Sequence, residues 1–135
     1  MNLAEVRVKA YGFRSLFMFQ PALGIGDKPL SSEEESLYAI SLARPEGYAL
    51  RMGALMRPEL LRYLDSGSAA DNIFDIGNVF ENTTEAVYLD WAHLSGEGNR
   101  LVAEKMSGIL QGVLCDDAPP NMSQRSISQF SAACG

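Results

Sequence analysis

The chain has one histidine, one tryptophan and two cysteines in 135 residues, and these scarcities narrow what it can be. The cysteines, Cys115 and Cys134, have neither C-x-x-C spacing nor a histidine beside them, so no zinc donor set is in view. No metal and no other cofactor is expected. A bridge between the two would close only a short loop near the C-terminal end, and they say little about compartment. Basic charge is also scarce: 11 Lys and Arg stand against 17 Asp and Glu, for a net charge of −6. A surface of that sign repels phosphate backbones, and no basic stripe offsets it, so nucleic acid is not an expected partner. No apolar run approaches the about 20 residues needed to cross a bilayer as a helix. The start of the chain, MNLAEVRVKAYGFRSLFMFQ, mixes charge with apolar residues and has no continuous apolar segment of the kind a signal peptide carries. There are no internal repeats.

What remains is an ordinary globular composition, 47% apolar and 21% charged, in a chain long enough for one core and too short for two ordinary domains. Residues 2–12 are compatible with a short helix that places Leu3, Val6 and Ala10 near one face. The run SLFMFQP reads as a strand buried on both faces and stopped by Pro21. After the Gly/Pro loop ALGIGDKPL, Ser32 and Glu35 have capping-box spacing, and glutamates in the first turn suit the positive end of the helix dipole. A helix is predicted from about Ser32 to Ala43, with Glu33–Glu35 as a solvated start. A second helical region covers about Gly47 to Leu64, interrupted near Pro58. NIFDIGNVF and AVYLD hold the remaining strand-like material, with a short strand predicted at Ile73–Asp75 before Gly77 breaks it. The last helix runs from about Gly96 to Val113, with Val102, Met106, Ile109 and Val113 as its core-facing stripe. Residues 115–135 are rich in Ser, Pro and Asn and read as a flexible tail. Helices alternating with short apolar strands imply a layered α/β architecture. Two or three strands make a poor parallel sheet, and the sequence looks like part of a fold.

The chemistry concentrates in VYLDWAHLSGEGNRLVAEKM. The single histidine, His93, follows Asp90 by three residues, just before a helix. A histidine moves protons well when a carboxylate holds one ring nitrogen and fixes the tautomer. D-x-x-H alone is a weak motif. Its alternative is a surface or helix-capping histidine beside an unrelated aspartate, and a metal site is disfavoured because one histidine and one carboxylate are too few ligands.

The surroundings add to it. YLDWAHLSGEGNRLVAEKM resembles the last block of the SGNH hydrolases, the GDSL esterase/lipase family, in which Asp-x-x-His is followed by a loop, a Gly-Asn pair and an amphipathic helix. These fall here on Asp90, His93, Gly98-Asn99 and Ala103-Glu104. NIFDIGNVFENTTEAVYLD looks like the lead-in to that block, and LFMFQPALGIGDKPLSSEEE resembles an earlier strand, Gln-Pro loop and capped helix. The resemblance spans about Leu16 to Leu114. It implies a flavodoxin-like three-layer α/β/α sandwich and serine-dependent hydrolysis of an ester, such as an acylated carbohydrate or a small ester. Asp90 would orient the histidine, and His93 would act as general base and acid.

The family's other blocks are not in this sequence. There is no Gly-Asp-Ser: Gly26-Asp27 is followed by Lys28, and Asp65-Ser66-Gly67 lies in the wrong place. Gly-x-Ser-x-Gly is absent as well. Nor do Asn78 and Asn99 sit in the Gly-x-Asn-Asp context of the family's oxyanion donors. The expectation is therefore that residues 1–114 form the C-terminal part of such a domain, carrying the Asp–His pair without the nucleophile. It would be a fragment or half-enzyme able to pair with an N-terminal half; the alternative is a non-catalytic interaction module. Substrate-facing roles are open for Gln20, beyond the first strand, and for Trp91, each beside a plainer reading as a strand-ending turn and as loop packing. Asn99 is expected to tie the Asp–His loop to the helix start.

Overall fold

The computed structural model describes residues 15–45, 47–67, 69 and 72–114. Within them the order is β1 (Phe17–Phe19), α1 (Ser32–Leu42), α2 (Gly47–Asp65), β2 (Ile73–Asp75) and α3 (Gly96–Leu114). The predicted helix at residues 2–12, the tail and both cysteines lie outside the described residues.

β1 and β2 form a two-stranded parallel sheet, with Phe17, Met18 and Phe19 opposite Ile73, Phe74 and Asp75. The pairing is extended at both ends, by the Phe17 amide on the Asn72 carbonyl at 2.8 Å and the Ile76 amide on the Phe19 carbonyl at 3.1 Å. Parallel strands need a long crossover, and here α1 and α2 supply it. β2 falls where the sequence places it, ended before Gly77. β1 is not buried on both faces, because Phe17 is 45% exposed. AVYLD forms no strand; its pairing is a single antiparallel bridge between Tyr88 and Leu94.

α1 begins one residue earlier in its cap than the Ser32–Glu35 spacing suggests. Ser31 is the N-cap: its hydroxyl accepts from the Glu34 amide, and the Glu34 side chain accepts from the Ser31 amide. The doublet Ser31-Ser32 before three glutamates allows both registers, and burial of Glu34 decides between them. α2 runs unbroken through Pro58. Proline removes one backbone donor, but Leu50, Arg57 and Leu64 bury one side of α2 at seven-residue spacing on both flanks of that position.

Two apolar clusters make the core. Leu23, Phe80, Val87 and Tyr88 form one, ringed by Leu30, Leu37, Tyr38, Leu94 and Leu101. Phe74, Ile76 and Ile109 form the other, with Leu16, Met18 and Val113 against it. Val102 of α3 packs on both, so this helix joins the sheet to the loop region beyond the strands. Met106, read as part of the same stripe, is instead 37% exposed. Phe80 and Tyr88 meet edge to face with centroids 5.6 Å apart, a favoured aromatic arrangement.

α3 reaches this close to Val87 because residue 98 is glycine. A Cβ there would stand 2.9 Å from the Val87 carbonyl oxygen and 3.1 Å from the Leu94 Cβ. Replacing Gly98 by alanine gains about 1 kcal/mol of helix propensity. The crowding falls on backbone, and overpacking of this kind costs about 1–3 kcal/mol. Gly98→Ala is therefore expected to lower the thermal midpoint despite the better helix former, whereas Ala at exposed Gly96, where a Cβ meets nothing within 4 Å, is not.

Candidate active site

The loop between Tyr88 and Leu94 is a small closed structure. The Ser95 amide donates to the Val87 carbonyl and the Leu89 amide to the His93 carbonyl, each at 2.8 Å. Inside that ring Asp90 folds back on the turn. Its Oδ1 accepts from the Ala92 amide at 2.9 Å and the His93 amide at 2.8 Å, and its Oδ2 lies 2.7 Å from His93 Nδ1. The two amides and the imidazole favour the ionised form, and they hold the Asp90 carboxyl down at about 2 from an ordinary 3.8.

The 2.7 Å contact between Asp90 Oδ2 and His93 Nδ1 fixes the tautomer. A carboxylate can only accept, so the proton of a neutral His93 sits on Nδ1 and leaves the Nε2 lone pair bare. The His93 side chain is 78% exposed, and no hydroxyl among the described residues hydrogen-bonds to it. The geometry is that of an oriented proton acceptor whose working edge faces outward.

Three contacts set the loop in place. The first is Glu34, which is 1% exposed. Its Oε1 accepts from the amides of Val87 and Tyr88 at 2.8 and 3.2 Å. Its Oε2 accepts from Lys28 Nζ at 2.6 Å and the Ser31 amide at 3.1 Å. Burial pushes this carboxyl's pKa up, but the Lys28 ammonium and the Val87, Ser31 and Tyr88 amides outweigh it, and the result lies below the usual glutamate value. Only Glu33 and Glu35 of the run are solvated. Glu34 shares a helix face with Leu37, Tyr38 and buried Ser41, at intervals of three, four and seven. That spacing is the signal in the sequence that distinguishes it from its neighbours.

The second contact is at α3. Ser95 caps the helix, its hydroxyl accepting from the Gly98 amide at 3.2 Å. Asn99 Nδ2 donates to the Leu94 carbonyl at 3.3 Å, tying the loop to the helix start as its position suggests. The third comes from the loop after β1, where the Leu23 amide donates to the Trp91 carbonyl at 3.2 Å. Trp91 is half-buried between Asp90 and His93. Gln20, just past β1, is exposed, and its side chain makes no hydrogen bond to the Asp90–His93 loop. Asp90, Trp91 and His93 are thus together, while Gln20 only shares the loop whose Leu23 touches them. Among the described residues no three His, Cys, Asp or Glu side chains gather as metal ligands.

Glu34→Ala leaves two buried amides and the Lys28 ammonium without their partner and is expected to cost about 3–5 kcal/mol in denaturant unfolding; Glu34→Gln, which keeps an acceptor oxygen, costs less. Because the folded pKa of Glu34 is depressed, its stabilisation is complete above the ordinary value of 4.5 and is lost as pH falls through the folded value. Acid unfolding of the wild type should begin below that point and be blunted in Glu34→Gln. Asp90→Asn is expected to reverse the imidazole. The amide NH₂ donates to Nδ1 and drives the proton to Nε2, a change visible in long-range 1H–15N spectra of the single histidine.

No family model matches this chain, and no curated protein or solved structure matches it either.

Proposed function

We propose that the chain carries the Asp–His end of a serine-type ester hydrolase of the SGNH/GDSL kind. The observation that supports this most is the Asp90 carboxylate held on His93 Nδ1 by a loop of only four residues, with Nε2 outward. In the reaction, Nε2 takes the proton of an attacking serine hydroxyl. The serine oxygen bonds to the ester's carbonyl carbon, the bond from that carbon to the alkoxy oxygen breaks, and the same proton is returned to the leaving alcohol. Water then repeats the sequence on the acyl-enzyme. Asp90 stabilises the imidazolium formed in each half. With no Gly-Asp-Ser among these residues, the serine and oxyanion donors of this reading come from the N-terminal part of such a domain. The substrate is a small ester or an acylated carbohydrate; Leu89, 66% exposed, and half-buried Trp91 offer apolar surface next to His93.

The layered architecture expected of that family is supported by the alternation along the second strand. Phe74 and Ile76 pack with Ile109 of α3, whereas Asp75 between them pairs with Arg57 of α2. Side chains alternate across a strand, and this alternation supports a reading with the two helices on opposite faces of the sheet. The sheet itself is narrow, and α2 exposes Tyr48, Leu55 and Met56 along one side. Those surfaces favour a second reading as an interaction module, in which the half-domain binds a partner without turnover.

The decisive assay is hydrolysis of a short-chain aryl ester. The chain alone should give no turnover above buffer. Mixed with a polypeptide carrying the Gly-Asp-Ser and oxyanion blocks, it should turn over, and His93→Ala should reduce that rate by about 10³–10⁶-fold. A complex whose activity survives His93→Ala contradicts the proposal; a complex with no activity at all favours the interaction module.

A further inference from the structure

Arg57 is the one buried cation in α2, and the chemistry at Asp90 and His93 makes no use of it. Its side chain is 7% exposed and that of its partner Asp75 9%. Nη2 donates to Asp75 Oδ2 at 2.9 Å and to Asn78 Oδ1 at 2.5 Å, and Nη1 donates to the Ile25 carbonyl at 3.3 Å. Nε is buried without a partner. A buried ion pair with an orphaned N–H is a poor source of stability, since desolvation offsets the attraction and the unmade bond costs more. What the arrangement does supply is geometry. One planar guanidinium holds the loop after β1, through Ile25, and the loop after β2, through Asp75 and Asn78.

Those loops lead to the histidine. Asp75 is itself fixed, its Oδ1 accepting from the Gly77 amide at 2.9 Å. Residues 22–25 form a tight turn in which the Ile25 amide donates to the Ala22 carbonyl at 3.0 Å. Gly24 sits there at φ +73°, over the Tyr38 ring. Arg57 grips one end of this turn at the Ile25 carbonyl. The other end gives its Leu23 amide to the Trp91 carbonyl, inside the Asp90–His93 loop. We propose that Arg57 is a positioning residue for the Asp90–His93 pair, clamping the 22–25 turn so that Trp91, and with it the imidazole, is held in register. The inference rests on the Asp–His reading of the site.

The single tryptophan and single histidine are built-in reporters. In the full chain, Arg57→Met should shift the His93 tautomer from predominantly Nδ1–H toward the mixture of a free imidazole and move Trp91 emission to the red, at temperatures where circular dichroism shows the protein folded. Arg57→Lys keeps the charge but not the fork, and should recover thermal midpoint more than it recovers the tautomer. If Arg57→Met does not fold, Asn78→Ala removes one acceptor at a half-buried position and should move both signals in the same direction. A folded variant with wild-type imidazole and tryptophan signals overturns the proposal and leaves Arg57 a purely structural residue. Signals that move in a chain that never supports ester turnover uphold the clamp and overturn only the hydrolase reading.

Discussion

A carboxylate sealed from water must satisfy about four lone-pair positions from its surroundings, and Glu34 does so with four donors from two parts of the chain. Lys28 and the Ser31 amide come from its own helix entrance, and the Val87 and Tyr88 amides come from 53 and 54 residues away. Such a group tolerates little displacement, because any donor that withdraws leaves a buried charge short of a partner. The N-terminus of α1 and the entry to the Asp90–His93 loop therefore move as one body. The rest of the first core cluster, with Leu23, Phe80, Val87 and Tyr88 fully or nearly buried, closes around that point.

From this anchor the loop is held on its remaining sides by backbone. Gly98 lets α3 press against Val87, Ser95 and Asn99 bind the turn to the helix start, and Leu23 meets Trp91 from the end of the sheet where parallel strands build their sites. An exposed histidine is ordinarily free to rotate. Here its freedom is limited from below, by amides and a carboxylate, while its outer nitrogen stays accessible. Orientation of the ring is the part of acid–base chemistry that a protein can prepare in advance.

The spans of the three described helices, β2 and the Asp90–Asn99 segment were legible in the amino-acid order because their signals are local: periodicity, caps, and a short D-x-x-H turn. What escaped are interactions between distant segments. The glutamate run hides Glu34 because its neighbours Glu33 and Glu35 are solvated and the serine doublet allows two cap registers; only the face it shares with Leu37 and Ser41 marks it. Arg57 looked like part of a proline-broken helix, yet its partners Ile25, Asp75 and Asn78 lie 18 to 32 residues away and no local pattern pairs them. Phe17 was placed in the core by a continuous apolar run and Met106 by a helical stripe, and neither pattern shows whether a neighbouring element is there to cover the side chain.

The most direct test of this account is native-state hydrogen exchange at the Val87 and Tyr88 amides. Both donate to a fully buried carboxylate, so they should be among the slowest amides of the protein outside its helices and should exchange together, slowing no further when α1 is already folded. Exchange at the rate of an unstructured peptide would contradict it, because the Asp90–His93 loop would then have no fixed base from which to orient its histidine.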